Sequence, residues 1–138
     1  MMPVIVNAQV LTKKDIIPLV CTFQAGIYEG FAEGLKFHYE SIDSKLGLND
    51  NYWNPAMSCN NKYKNGDPAQ GEAFPMSTTV FVWTTDGYHL TRAARNTCLM
   101  AGLTFKLGEK QKWYEYLLEF IAYYITFTLG FNITYELL

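Results

Sequence analysis

WYEYLLEFIAYYITFTLGFNITYELL, residues 113–138, is apolar nearly all the way round a helical cylinder. A helix of that character is either buried in a core or set in a membrane. Its exceptions fall on one line: Glu115, Glu119, Ala122, Thr126 and Gly130 recur every three or four residues. One narrow stripe of polar and small side chains on an apolar cylinder is suited to close helix contact in lipid.

Working back along the chain, KLGEKQK (106–112) reads as a short charged turn around Gly108. It predicts a preceding helix over about 85–105, with Thr85 or Asp86 as N-cap and VFVW (80–83) leading in. A third helix is predicted over about 15–40, capped by Asp15, with Pro18 in its first turn, where a missing N–H costs nothing. This segment carries Gly26, Gly30 and Gly34 at four-residue spacing. In a soluble helix each glycine would cost about 1 kcal/mol. In a membrane the same spacing, a glycine zipper, makes a flat ridge for another helix.

Between these helices, residues 41–78 are rich in Asn, Asp, Gly and Pro and lack periodicity. A loop this long in a compact domain is functional or disordered. Tyr52, Trp53, Tyr63 and Phe74 predict that this one folds down onto something. The N-terminal VIVNAQVL (4–11) reads as a short strand or extended arm. No secretory signal is recognisable there, because Lys13 and Lys14 follow the apolar patch rather than precede it.

At 138 residues the chain is one domain by length. Apolar residues make up 49 % of the 138 and charged residues 17 %, the latter below the ~25 % usual in soluble domains. A net charge of −2 without a basic stripe argues against nucleic acid as a partner. Cys21, Cys59 and Cys98 form no CxxC pair, so neither a zinc knuckle nor a disulfide framework is indicated. Cys21 and Cys98 lie in apolar runs and read as small buried hydrophobes.

No stretch of 18 consecutive apolar residues occurs, and a soluble bundle of aromatic helices is the alternative to a membrane bundle. Yet each predicted helix is long enough to cross a bilayer, and ionisable groups gather on stripes. The expectation is therefore an all-α, multi-pass membrane domain. Three helices (about 15–40, 85–105 and 112–137) form a transmembrane bundle under a long structured loop. Lys13 and Lys14 share a side with Lys106, Lys110 and Lys112, which predicts a cytoplasmic N-terminus and short turn. The long loop and the C-terminus then lie outside.

In that topology the two histidines of the chain, His38 and His89, fall at one mouth. Asp86 and His89 are three apart, on one helical face, and Glu29 and Glu33 lie deeper. His38, Asp86 and His89 are candidate ligands for a divalent metal. With Glu29 and Glu33 they are equally candidate acid–base groups. The bland alternative is that Asp86 only caps a helix. Arg92 and Arg95, with Asn96, are candidates to hold an anionic group beside the histidines, or the arginines pair with Glu29, Glu33 or Glu119. Glu115 and Glu119, at the far end, read as interhelical partners. Asn65-Gly66-Asp67-Pro68 reads as a tight turn. No phosphate loop, GxSxG elbow or HExxH is present.

Phe37-His38, Trp53-Asn54-Pro55, the Asn61–Pro68 run NKYKNGDP and the helix start Thr85, Asp86, His89 occur in an order that resembles a family of small bacterial and phage membrane proteins. The likeness spans roughly residues 25–105. It implies a polytopic membrane protein and no particular chemistry. Arg92 and Arg95 depart from the apolar residues the resemblance would put there.

Three functions fit these residues. The first is a membrane enzyme, metal-dependent or not, acting on a lipid-like substrate. The second is an oligomeric channel or transporter with a path along Glu29, Glu33 and the arginines. The third is a non-catalytic accessory protein. The lipid bilayer is the expected partner, and the glycine ridge and the small-residue stripe predict tight packing within the chain or in a homo-oligomer.

Overall fold

The computed structural model describes residues 13–138, so the expected strand or arm at 4–11 lies outside the described residues. All the regular structure described is helical, apart from one isolated bridge between Tyr63 and Glu72. Three long helices dominate: α1 (Ile16–Phe37), α5 (Gly87–Lys106) and α6 (Trp113–Leu137). Short helices α2 (Tyr39–Leu46), α3 (Asp50–Trp53) and α4 (Pro55–Ser58) follow α1 and build much of the segment that the sequence suggests is irregular.

The first long helix is shorter than its periodicity predicts. It stops at His38, whose φ of −135° breaks the helix, and restarts as α2. Asp15 precedes α1 but makes no side-chain cap; its carboxylate goes to Lys106 instead. Pro18 sits in the first turn, as its missing N–H requires.

α1 is the hub. It packs antiparallel to α5 and parallel to α6, and those two touch each other little. The α1–α6 contact is backbone to backbone. A Cβ on Gly26 would lie 2.9 Å from the Phe131 nitrogen, and one on Gly30 would lie 2.6 Å from the Phe131 oxygen. Gly130 returns the contact, 3.1 Å from the Ile27 nitrogen by the same measure. The third glycine of the row, Gly34, instead takes the Ile42 side chain of α2. The least exposed residues of α6 include Glu119, Ala122, Thr126 and Gly130, the stripe visible in the sequence.

Few large side chains are buried among the described residues. The buried apolar side chains described are few: Pro18, Ala25, Ala32, Leu35 and Ile42. Asp15, Asp86, Thr91 and Glu119 are buried with them. Large apolar side chains point outward along all three long helices, for example Val20, Leu103 and Phe120, the last 67 % exposed. By length and composition, however, α6 is the one described helix fit to cross a membrane. The multi-pass expectation is not supported on that criterion, for a physical reason. Glu29 and Glu33 dilute α1, and Arg92, Arg95 and Lys106 dilute α5. Cys21 and Cys98, expected to be buried, are both partly exposed.

Candidate functional site

The D-x-x-H start of α5 explains its own geometry. Asp86 is the N-cap, with extended backbone angles. Its Oδ1 accepts the His89 backbone N–H at 2.8 Å, which satisfies one of the orphan donors of the first turn. Three residues on is also where a side chain turns back toward the cap. The second carboxylate oxygen, Oδ2, therefore meets the His89 ring, with Nδ1 at 2.7 Å. One residue caps the helix and orients the imidazole together. Asp86 is 1 % exposed, and the Thr85 hydroxyl donates to Oδ2 at 3.1 Å. The His89 side chain is 31 % exposed.

The loop closes on this helix start. A Cβ on Gly87 would fall 2.6 Å from Trp53 Cδ2, so the glycine makes room for the indole. Trp53 in turn meets Phe31 of α1 and Tyr52 edge to face. Burial, and then the negative charge of Asp86, push the Tyr52 hydroxyl above its ordinary pKa. Asn61 fastens the loop: its side-chain amide donates to Asn51 O at 2.7 Å and Thr85 O at 3.1 Å. Asn54 caps α4 ahead of Pro55, and Asp67 caps a short 3-10 turn ahead of Pro68. Asn65, with φ 55°, makes the tight turn between them. The Asn, Asp and Pro residues that made this segment look irregular are the caps of its short turns.

The other candidates do not all join the dyad. His38 lies at the α1–α2 break, exposed, with Nε2 2.8 Å from the Tyr135 hydroxyl of α6. Its ligand atoms are not grouped with those of Asp86 and His89 within 4.8 Å, so the expected three-ligand metal set is not assembled among the described residues. The reason is the helix break: α1 ends at Phe37, and the chain turns His38 toward α6 rather than α5. Arg95 pairs with Glu29 at 2.5 Å and also reaches Asn96 Oδ1. Arg92 donates to the Tyr88 hydroxyl at 2.7 Å, with Glu29 and Glu33 close enough to act on its charge. Arg95 thus bonds both Glu29 of α1 and its own neighbour Asn96, below the dyad.

Sequence reasoning missed a second polar centre at the opposite end. Lys106 Nζ lies 2.7 Å from Asp15, 2.5 Å from Glu109 and 3.0 Å from Glu119. Gln111 Nε2 bonds Glu119 at 2.6 Å and Glu109 at 3.2 Å. These three carboxylates are the described group close enough to share an ion, and the Lys106 ammonium sits among them. The signal was available: Asp15, Lys106 and Glu119 all belong to helix ends on one side of the predicted topology. Glu119 is the interhelical partner expected of it, whereas Glu115 accepts the Lys112 backbone N–H of its own helix start.

Comparison with known proteins gives no family model, no curated protein and no solved structure that matches this chain.

Proposed function

We propose that this chain is a small three-helix membrane protein whose Asp86–His89 dyad acts as a general base at the outer mouth of the bundle, on an amphiphilic, lipid-like substrate. One observation carries the reading: a buried carboxylate, already engaged in capping, also holds the imidazole through Nδ1. In that tautomer Nδ1–H donates to Asp86 and Nε2 is the proton-accepting atom, facing the half-open side of the ring. A cap alone would account for Oδ1 and leave the ring contact unexplained. Both groups stand on a helix end pinned by Trp53, so the base is fixed in place before substrate arrives.

The outward apolar faces of α1, α5 and α6 support the membrane setting, because polar groups inside and large apolar groups outside suit lipid as solvent. The close glycine contact between α1 and α6 fits the packing expected there. The resemblance to small phage and bacterial membrane proteins points the same way. In a channel, the seam between α1 and α5 would be the path; the Glu29–Arg95 pair occupies it, which ranks the dyad ahead.

The test is turnover in vesicles of phosphatidylethanolamine and phosphatidylglycerol containing the full chain, with products followed by mass spectrometry. Wild type is expected to release lysolipid or head group. His89→Gln should lower the rate by about 10²- to 10⁴-fold, the usual contribution of a positioned base. Asp86→Asn, which keeps an Ncap acceptor, should lower it less. No product from wild type, or full turnover by His89→Gln, overturns the proposal.

A further inference from the structure

FPMSTTVFVWTT, residues 74–85, carries no charged side chain. Phe74, Met76, Val80, Phe81 and Trp83 are each 42–54 % exposed. So dense a run of large apolar side chains on a surface marks a contact with lipid or protein. The run leads into α5 through the 3-10 turn Val82–Thr84 and ends at the Asp86 cap. On α5 itself the large exposed apolar side chains, Met100, Leu103 and Phe105, lie in the far half.

The segment holds a fixed shape. Met76 has φ 64°, in the left-handed region that a residue with a Cβ seldom adopts. Hydrogen bonds on both sides keep it there. Its N–H goes to Glu72 Oε2 at 3.0 Å, and its carbonyl accepts the N–H groups of Thr79 at 3.1 Å and Phe81 at 2.9 Å. The polar groups are turned inward. The Ser77 hydroxyl donates to Lys62 O, that of Thr78 to Glu72, that of Thr79 to Met76 O and that of Thr84 to Phe81 O. The N–H groups of Ser77, Thr84 and Thr85 find carbonyls within the same segment. Polar backbone groups that enter a bilayer must be satisfied from within the protein in this way. A protein partner is held in register by polar groups around an apolar patch, and the hydroxyls of this one are already engaged. Hydrocarbon needs no such register.

We propose that residues 74–83 form a rigid shoulder seated in the outer leaflet, where head groups meet acyl chains. Phe74, Met76, Val80 and Phe81 enter the lipid, and Trp83 anchors the shoulder at the interface. This placement rests on the membrane setting proposed above and not on the chemistry of the dyad. It does bear on what the dyad meets. Trp83 stands three residues before Asp86, so the start of α5 is held at head-group level. The lipid that His89 reaches is one still in the bilayer rather than one drawn into a pocket.

The test is tryptophan fluorescence of the full chain with Trp53→Phe and Trp113→Phe, which leaves Trp83, in phosphatidylcholine vesicles brominated at defined acyl positions. Trp83 is expected about 5–10 Å into the boundary of head groups and acyl chains, quenched by bromines near the head groups and shielded from aqueous acrylamide. Val80→Asp with Phe81→Asp, at two exposed positions, should abolish the bromine quenching and open Trp83 to acrylamide, with helical circular dichroism unchanged. A matching chain that keeps Trp113 instead of Trp83 reports on α6. Trp113 quenched by lipid with Trp83 open to water overturns the shoulder and leaves the membrane setting standing; neither quenched overturns both. Trp83 shielded from acrylamide but not quenched by bromine means a protein contact, and overturns the shoulder too. Trp83 quenched by lipid without any turnover removes the chemistry of the dyad alone. Should Trp53→Phe not fold, Trp53 is kept, and the difference between chains with Trp83 and with Trp83→Phe gives the same readout.

Discussion

The two ends of the bundle handle buried carboxylates in opposite ways. At the loop end Asp86 is satisfied locally, by its own helix start and by a ring three residues away. At the turn end Asp15, Glu109 and Glu119 converge from separate elements on Lys106. A locally satisfied carboxylate survives the loss of distant partners, and the group it orients is free for chemistry. A carboxylate satisfied by a shared cation ties the helices together, and removing the cation takes one bond from each of them. One end is built to hold a side chain, the other to hold the bundle.

Removing the cation should therefore break the comparison most visibly. Lys106→Met takes from buried Asp15 and Glu119 the ammonium bonded to both, and is expected to cost about 3–5 kcal/mol. Asp86→Ala, the matching deletion at the loop end, should cost only about 0.5–2 kcal/mol, the usual value of an N-cap. Unfolding of both variants in the same detergent, followed by helical circular dichroism, checks the ratio. Comparable losses would mean that the two ends are not different in kind.

Glycine contacts sharpen the contrast in another way. Gly30→Val forces α1 and α6 apart and should cost about 1–3 kcal/mol of overpacking. Gly87→Ala displaces Trp53 instead, and should free the loop while leaving helix content unchanged. Tryptophan fluorescence and limited proteolysis between residues 59 and 78 separate the two outcomes.

The smallest effect is one of pH, confined to the loop end. The Thr78 hydroxyl, followed by the Met76 and Thr78 backbone N–H groups, holds the Glu72 carboxyl below its ordinary value of 4.5. The backbone N–H of Ala69, then the Gln70 side chain, does the same for Asp67 against its ordinary 3.8. For a depressed pKa the stabilisation is complete above the unfolded value and is lost as pH falls through the folded one. The 63–78 segment should thus loosen below about pH 4 while the three long helices hold. Amide exchange across that range is the measurement. Both carboxyls are exposed, so a small change is expected.

How much of this was legible beforehand follows from the range of each interaction. The α5 cap, the face shared by Asp86 and His89, and the small-residue stripe of α6 depend on spacing along one helix, and spacing is written in the sequence. The break at His38 was not legible, since Phe37-His38-Tyr39 contains neither Gly nor Pro and the apolar period runs through it. That break sends His38 to Tyr135 and dissolves the expected three-ligand set. The Lys106 cluster combines residues up to 104 positions apart in sequence, Asp15 to Glu119; the predicted topology put them on one side, but their bonding depends on the tertiary fold. The loop misled for a different reason: its caps and turns are periodic in neither 2 nor 3.6, so a pattern search sees nothing where short turns stand.

The placement of α1 between two helices that scarcely meet sets an order of assembly. α1 and α5 can join as soon as both have been made. The glycine face of α1 has to wait, because its partner, α6, follows α5 in the sequence. Until Phe127 and Phe131 emerge, Gly26 and Gly30 present bare backbone to whatever surrounds them. A nascent chain paused before α6 is therefore a hairpin with an open seam. α6 does not extend a finished pair but closes it, much as a stave closes the gap in a barrel.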